Sequence, residues 1–427
     1  MLLGPGGYNP DVAQAGRCGV GKPTPQPGIG TLVPLGLVLV LACLASSILA
    51  AAYVLLGAGV SQVRISSPPG GHMVAAGEVL VVHAESSGRG LIKSELLVDG
   101  VVADSVSSSR PAGLTDWSVV YSWRAQPVGL HRVRVRVFDV SGGVAESSNV
   151  VIGVPPPGRI VFSSNRTGTY EIYTMQTDGR ELAAITRGPG QRREPSCGSE
   201  RLLLFSRTED GGGSDVWLLQ LETGRESNLT ASLGGDRWPR WAPEEGSIAF
   251  VSDRYGPSQL FLMGPDGSGQ LQLTREEFPV DQPSWAPDGS RLVIAANSGG
   301  NWDIVSTSID GRSLPRLTED PAQDDQPAWS PGGNEIAFVS NREGNRQIYV
   351  MNADGTGQRR ITAFPSGAEQ PGWSSDGEWV ACVAYTGQGD GLDAREIYIM
   401  RRDGSDQMRL TDNLFDDTEP DWCEWDE

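Results

Sequence analysis

Six carboxylates share one neighbourhood in this chain. Glu194, Asp236, Asp281, Asp325, Glu369 and Asp417 each lie one to three residues ahead of a recurring proline, with Asp324, Asp416 and Glu419 beside them. Carboxylates gathered on one face can attract cationic segments, coordinate Ca²⁺ where several oxygens converge, or, as a spaced pair, hydrolyse a glycosidic bond. Their plainer use is to cap turns and keep loops soluble. There is no contiguous Ca²⁺-ligand loop, so no metal and no cofactor are expected. Nucleophilic catalysis has little to work with. Residues 158–427 contain no histidine, and no Gly-x-Ser-x-Gly elbow occurs, so a serine would have no base.

The chain that positions these groups has 427 residues, with 55 Gly and 29 Pro. That excess favours turn-dense β architecture over long helices. The formal charge is −19, and it is unevenly placed. Residues 1–157 carry 10 basic and 9 acidic side chains, whereas residues 158–427 carry 24 and 44. Binding to nucleic acid needs clustered Lys and Arg, so that partner class is excluded.

Periodicity decides the fold of the acidic part. A Leu/Ile-Thr pair recurs with threonines at 186, 230, 274, 318, 362 and 411, and prolines follow at 195, 239, 283, 327, 371 and 420. Two residues after each proline stand Trp241, Trp285, Trp329, Trp373 and Trp422, with Cys197 as the exception. The spacing is 44 residues until the last unit, which is five longer around Gly387–Ala394. Each unit reads as four strands separated by Gly- and Asp-containing turns, the size of one propeller blade. The first unit, from Arg159, lacks the Pro-x-Trp strand, and Glu419-Pro-Asp-Trp is a surplus copy of it. The C-terminal strand is therefore expected to complete the first blade and close a six-bladed ring.

Copies such as Gln282-Pro-Ser-Trp-Ala-Pro-Asp-Gly289, Ala337-Phe-Val-Ser-Asn-Arg-Glu-Gly344 and Ile348-Tyr-Val-Met-Asn-Ala-Asp-Gly355 resemble the TolB-like propeller repeat. The resemblance implies an extracytoplasmic propeller over 155–427 that serves as a protein- or peptide-binding platform. It also implies that the Pro-x-Trp strand is innermost, so that the six carboxylates would ring one mouth of the channel. Related propellers accompany serine peptidases of the prolyl oligopeptidase type, but here the closing strand is expected to leave no room for a hydrolase domain.

Upstream, residues 1–30 read as a flexible Gly/Pro-rich tail. Pro23 to Val63 carries no charge, and Leu32 to Val60 is long enough to cross a membrane, so 31–60 is expected to be a transmembrane anchor helix. A cleaved signal peptide would be shorter and nearer the start, and a lipobox-like Val40-Leu-Ala-Cys43 is followed by further apolar residues. Arg17 and Lys22 favour a cytoplasmic N-terminus, placing the remainder outside the cytoplasm. Residues 61–154 alternate apolar and polar, as in Val133-Arg-Val-Arg-Val137, with a hairpin turn at Asp99-Gly100. Ser67-Pro-Pro-Gly70, Leu97-Val-Asp-Gly100 and Phe138-Asp-Val-Ser-Gly142 resemble bacterial immunoglobulin-like domains, which implies a β-sandwich. His72, His83 and His131 show no ligand spacing and are expected to be structural.

Arg166, Arg254 and Arg342 recur at one repeat position and are expected to bridge neighbouring hairpins. The tryptophan column is expected to pack between blades, with Trp217, Trp238, Trp302, Trp379 and Trp425 outside it. Cys197 replaces a tryptophan and Cys382 a phenylalanine, so buried thiols are expected, with one disulfide involving Cys423 as the alternative. The resulting expectation is an all-β, membrane-anchored, extracytoplasmic binding protein. Its acidic propeller would take a protein or peptide with cationic segments, or a glycan. The alternative is a glycan hydrolase or lyase working through carboxylates in the channel.

Overall fold

A computed structural model describes residues 59–425 apart from 210–211, 312 and 386–393. The tail, nearly all of the expected anchor and most of the blade-six insertion lie outside the described residues. Among the described residues, no helix is long and apolar enough to cross a membrane. The anchor boundary at residue 60 needs correction, because Gly59 and Val60 open a strand, Gly59–Ser67, paired to Arg89 and Gly88.

The N-terminal module contains strands β1 (Gly59–Ser67), β2 (His72–Met73), β3 (Val79–Val98), β4 (Val101–Ser107), β5 (Leu114–Arg124), β6 (Gly129–Asp139), β7 (Val144–Glu146) and β8 (Val150–Val154). The 20-residue β3 organises it, pairing β1 and β5 along its first half and β4 and β6 along its second. Alternation does the rest. Val133, Val135 and Val137 turn into a core with Leu80, Val82 and Tyr121, while the intervening arginines face outward, Arg134 and Arg136 sharing Glu146. Asp99 and Gly100 both adopt positive φ, as the β3–β4 hairpin turn requires. His131 is structural: its ring bonds Asp99 and the Pro127 carbonyl at 2.7 Å each.

The remaining strands form six four-stranded antiparallel sheets. The inner strands are Asp417–Cys423 (blade I), Gln191–Cys197 (II), Asp236–Trp241 (III), Val280–Trp285 (IV), Asp324–Trp329 (V) and Ala368–Trp373 (VI). Blade I joins the last strand of the chain to Arg159–Ser164, its first propeller strand, so the ring closes as expected. Buried Ile, Val, Phe and Ala of the two central strands fill the spaces between blades.

The repeat threonines have a specific task. In every blade the hydroxyl accepts a backbone N–H of the third strand, from Ile172, Val216, Leu260, Ile304, Ile348 and Ile397, at 2.8–3.0 Å. The outermost strand is as short as two residues, as at Arg359–Arg360, so the side chain takes over where ladder pairing ends. Third-to-fourth-strand hairpins of blades I and VI meet the N-terminal module. Arg180 pairs with Glu78 at 3.0 Å, Arg401 donates to the Val128 carbonyl at 2.9 Å, and Met73 packs on the core shared by these two blades.

Candidate functional site

Each inner strand begins at a loop that follows the repeat threonine and ends at the tryptophan position. Those entry loops share one mouth with the hairpins joining second and third strands; Gly235 N–H, for example, donates to Asp253 at 2.7 Å. The tryptophan ends open on the opposite, exit mouth.

Along every inner strand the register with its neighbour shifts between the second and fifth of five successive positions, a β-bulge. At each bulge the residue before the proline has positive φ, between 53° and 58°: Glu194, Trp238, Gln282, Gln326, Gln370 and Glu419. A non-glycine residue resists this conformation, and the position is held by a chain of bonds around the channel. Gln282 accepts the N–H of Gln326, Gln326 that of Gln370, and Gln370 that of Glu419, at 3.0, 2.6 and 2.8 Å. Glu419 accepts the N–H of Glu194, and Glu194 that of Trp238, at 2.8 and 2.7 Å. An indole cannot continue the chain. The girdle breaks there, and Gln282 N–H turns to Asp281 of its own blade at 3.0 Å.

This register separates the six expected site residues into three layers rather than one ring. Asp236 and Asp417 sit one layer toward the entry loops with side chains wholly buried, bonded to Arg254 and Arg166 at 2.8 Å; Asp324 pairs likewise with Arg342. These pairs form inside a blade, correcting the expectation that the repeat arginines bridge neighbouring hairpins. Each guanidinium also covers two aromatic rings, as Arg342 covers Phe338 and Tyr349. Blade II inverts the arrangement, with a buried Arg192 beside Glu171 of blade I. Asp281, Asp325 and Glu369 form the next layer, and blades II and III place Arg193 and Arg237 at the same position. The expected acidic ring is therefore an acidic arc facing a basic one. Arg237 reaches Asp281 at 3.3 Å, and Arg346 spans Asp325 and Glu369 at 2.6 and 3.4 Å. Burial pushes the carboxyls of Asp281 and Asp325 upward, opposed by these arginines.

Glu194 belongs to the girdle layer. Burial, and then the charge of Glu419, push its carboxyl up to about 7. Glu419 is braced by Arg193 at 2.7 Å and by the Ser163 hydroxyl at 2.7 Å. Among the described residues no group of three or more His, Cys, Asp or Glu is arranged to hold a metal ion.

Toward the exit mouth lies a cavity of about 240 Å³, whose lining includes Trp238, Arg240, the three girdle glutamines, Glu419 and Asp421. The tryptophan column stands at the seams. The indoles of Trp285, Trp373 and Trp422 donate to carbonyls of the preceding blade at 3.1–3.2 Å. Cys197 is not a thiol: it is bonded to Cys423, tying the closing strand of blade I to blade II, while Cys382 is free and buried. Sequence reasoning missed the girdle and the Arg240–Asp421 cavity. The signal was present in the repeat alignment, where the residue before the proline is Gln or Glu in all blades but one.

The TolB beta propeller domain (PD40) matches residues 272–393. The chain is 27% identical over 117 residues to a TolB homolog of Chlorobaculum tepidum, covering 27% of each. It is 30% identical over 153 residues to a TolB homolog of Chlorobium luteolum, covering 26% of this chain and 35% of that one. The chain thus spans about a quarter to a third of the length of these curated relatives. In the crystal structure of TolB from Acinetobacter baumannii the fold superposes with a TM-score of 0.55, covering 70% of this chain and 80% of that one at 19% identity. In repeat sequence and in blade arrangement, residues 155–427 form a TolB-like six-bladed β-propeller.

Proposed function

We propose that this chain is a protein- or peptide-binding protein whose recognition surface is the entry mouth of the propeller. The observation that carries this reading is a set of large apolar side chains left in water on that mouth. On blade III Leu233 is fully exposed and Tyr255 76% exposed, and on blade I Leu414 is 89% exposed with Phe415 next to it in the chain. Scattered apolar residues are ordinary on a surface, but a group on loop tips beside a channel is the composition of an interface core. The 44 acidic against 24 basic side chains of residues 158–427 would steer a segment carrying lysine or arginine toward this rim, where its apolar anchors would seat.

The glycan hydrolase or lyase reading is less well supported, because the carboxylates it would use are held by Arg237, Arg346 and Tyr385. The uncharged run Pro23–Val63 supports membrane anchorage, and an immunoglobulin-like spacer at 61–154 would carry the propeller clear of the bilayer, outside the cytoplasm.

Affinity capture with the full chain in detergent tests the rim. Leu233→Asp with Leu414→Asp should abolish capture of a partner that the unaltered chain retains, with stability changed by no more than about 0.5 kcal/mol. Capture that is indifferent to both substitutions would remove the proposal. Protease applied to intact cells tests the placement, which predicts loss of the propeller.

A further inference from the structure

The fifth of the bulge positions, next after the proline, is small in four blades: Ser196, Ser284, Ala328 and Gly372. In blades III and I it is Arg240 and Asp421, and both line the exit-mouth cavity. Neither is consumed by the fold. Arg240 donates only to the carbonyls of Pro195 and Pro239, at 3.4 and 2.9 Å, and has no carboxylate within ion-pair distance among the described residues. Asp421 accepts the Cys197 N–H at 2.9 Å through one oxygen and has no cationic partner in contact among the described residues. Burial pushes the Asp421 carboxyl upward, and Arg240 is the largest charge opposing that shift, so the two are near without touching. Half-buried opposite charges that stop short of each other leave room for a group that meets both.

The girdle adds direction. Gln282, Gln326 and Gln370 each spend the amide oxygen on the next blade's N–H. All three line the cavity, and an amide whose oxygen is committed keeps its NH₂ as a donor. Trp238, the girdle's one aromatic, supplies a flat apolar wall, and Arg240 lies 5.7 Å from its ring.

We propose that this cavity binds a small zwitterion, a free α-amino acid. Its carboxylate would be received by Arg240 and the glutamine amides, its ammonium by Asp421, and its side chain by the face of Trp238. The cavity volume suits one such molecule, being slightly below the usual range for drug-sized ligands of roughly 300–1,000 Å³. The site lies at the opposite mouth from the apolar rim, so it stands independently of the protein-binding reading.

Isothermal titration of the full chain in detergent with L-phenylalanine and L-leucine tests it. Saturable binding of roughly millimolar affinity or better is expected. N-acetyl-L-phenylalanine, which lacks the ammonium, and L-phenylalaninamide, which lacks the carboxylate, should each bind at least about tenfold more weakly, about 1.4 kcal/mol. Arg240→Gln should erase the advantage of phenylalanine over its amide, and Asp421→Asn its advantage over the acetylated form. Neither residue is in an ion pair among the described residues, so both variants should retain the circular dichroism of the parent. Absence of saturable heat overturns the proposal. So do equal affinities for parent and blocked compounds, or affinities that neither substitution changes.

Discussion

The two halves of the propeller ring share a backbone and differ in what they show the channel. Blades IV, V and VI repeat faithfully: an acid at the second bulge position (Asp281, Asp325, Glu369), glutamine at the third (Gln282, Gln326, Gln370) and a small residue at the fifth (Ser284, Ala328, Gly372). Blades I, II and III carry Thr418, Arg193 and Arg237, then Glu419, Glu194 and Trp238, then Asp421, Ser196 and Arg240. The bulge and the positive φ are present in all six. The architecture therefore tolerates either chemistry, and the regular half shows what the fold alone requires. Departures from it in the other half are where a specific function has room to reside.

The largest effect tests whether the halves really share one scaffold. Asp324→Ala in blade V and Asp417→Ala in blade I each leave a half-buried arginine, Arg342 or Arg166, without its carboxylate. Each should cost about 3 kcal/mol in urea denaturation, the low end of what breaking a buried pair costs. Similar losses would place the two pairs in the same structural role; a difference of several-fold would show that the diverged half is also built differently. Next comes the covalent seam, which only the diverged half has. Cys423→Ser removes the link to Cys197 across 226 residues and should cost about 2–4 kcal/mol. Adding reductant to the parent should produce the same drop, and adding it to the variant should produce none.

The girdle gives a subtler contrast. Gln326→Leu leaves the Gln370 N–H without its acceptor and should cost about 1–3 kcal/mol at any pH. Glu194 differs because its carboxyl titrates. Its folded pKa, about 7, lies above the ordinary 4.5, so the folded chain holds that proton more tightly than the unfolded one. The stabilisation is complete below about pH 4.5 and is lost as the pH rises toward 7. Glu194→Gln keeps an oxygen for the Trp238 N–H and removes the charge facing Glu419. At pH 8 the variant should be more stable by about 1–3 kcal/mol, with the difference shrinking to nothing at acid pH. A pH-independent difference would mean that Glu194 does not carry the proton.

Much of this was legible in the sequence, and the reason is repetition. Threonine, proline and tryptophan recurring together fixed blade number, strand order and closure, because a 44-residue unit offers few other foldings. The site was less legible. Glu194, Asp236 and Asp281 all read as acids before a proline, yet a shift of one residue along a strand moves a side chain to a different environment. Asp236 is thereby buried under Arg254, Asp281 faces Arg237, and Glu194 joins the girdle. Arg193 and Arg237 escaped notice because only acids were aligned. Arg240 and Asp421 escaped because their neighbours in other blades are small and draw no attention. Cys197 and Cys423 lie 226 residues apart, and only ring closure brings their Cα atoms to 5.5 Å.

The smallest effect on stability is expected at Trp238, and it separates the two halves most sharply. Trp238→Gln restores the regular residue at the one place where the girdle breaks. Its amide oxygen could accept the Gln282 N–H, but that group is already satisfied by Asp281 at 3.0 Å. One acceptor is exchanged for another, so stability should move by no more than about 0.5 kcal/mol. If the tryptophan existed to hold the blades, deleting a half-buried indole would instead cost about 3 kcal/mol or more. Near-neutral stability together with weakened binding of L-phenylalanine would assign Trp238 to the cavity rather than to the ring. A large loss of stability would return it to the scaffold, and with it the view that the diverged half is free to carry function.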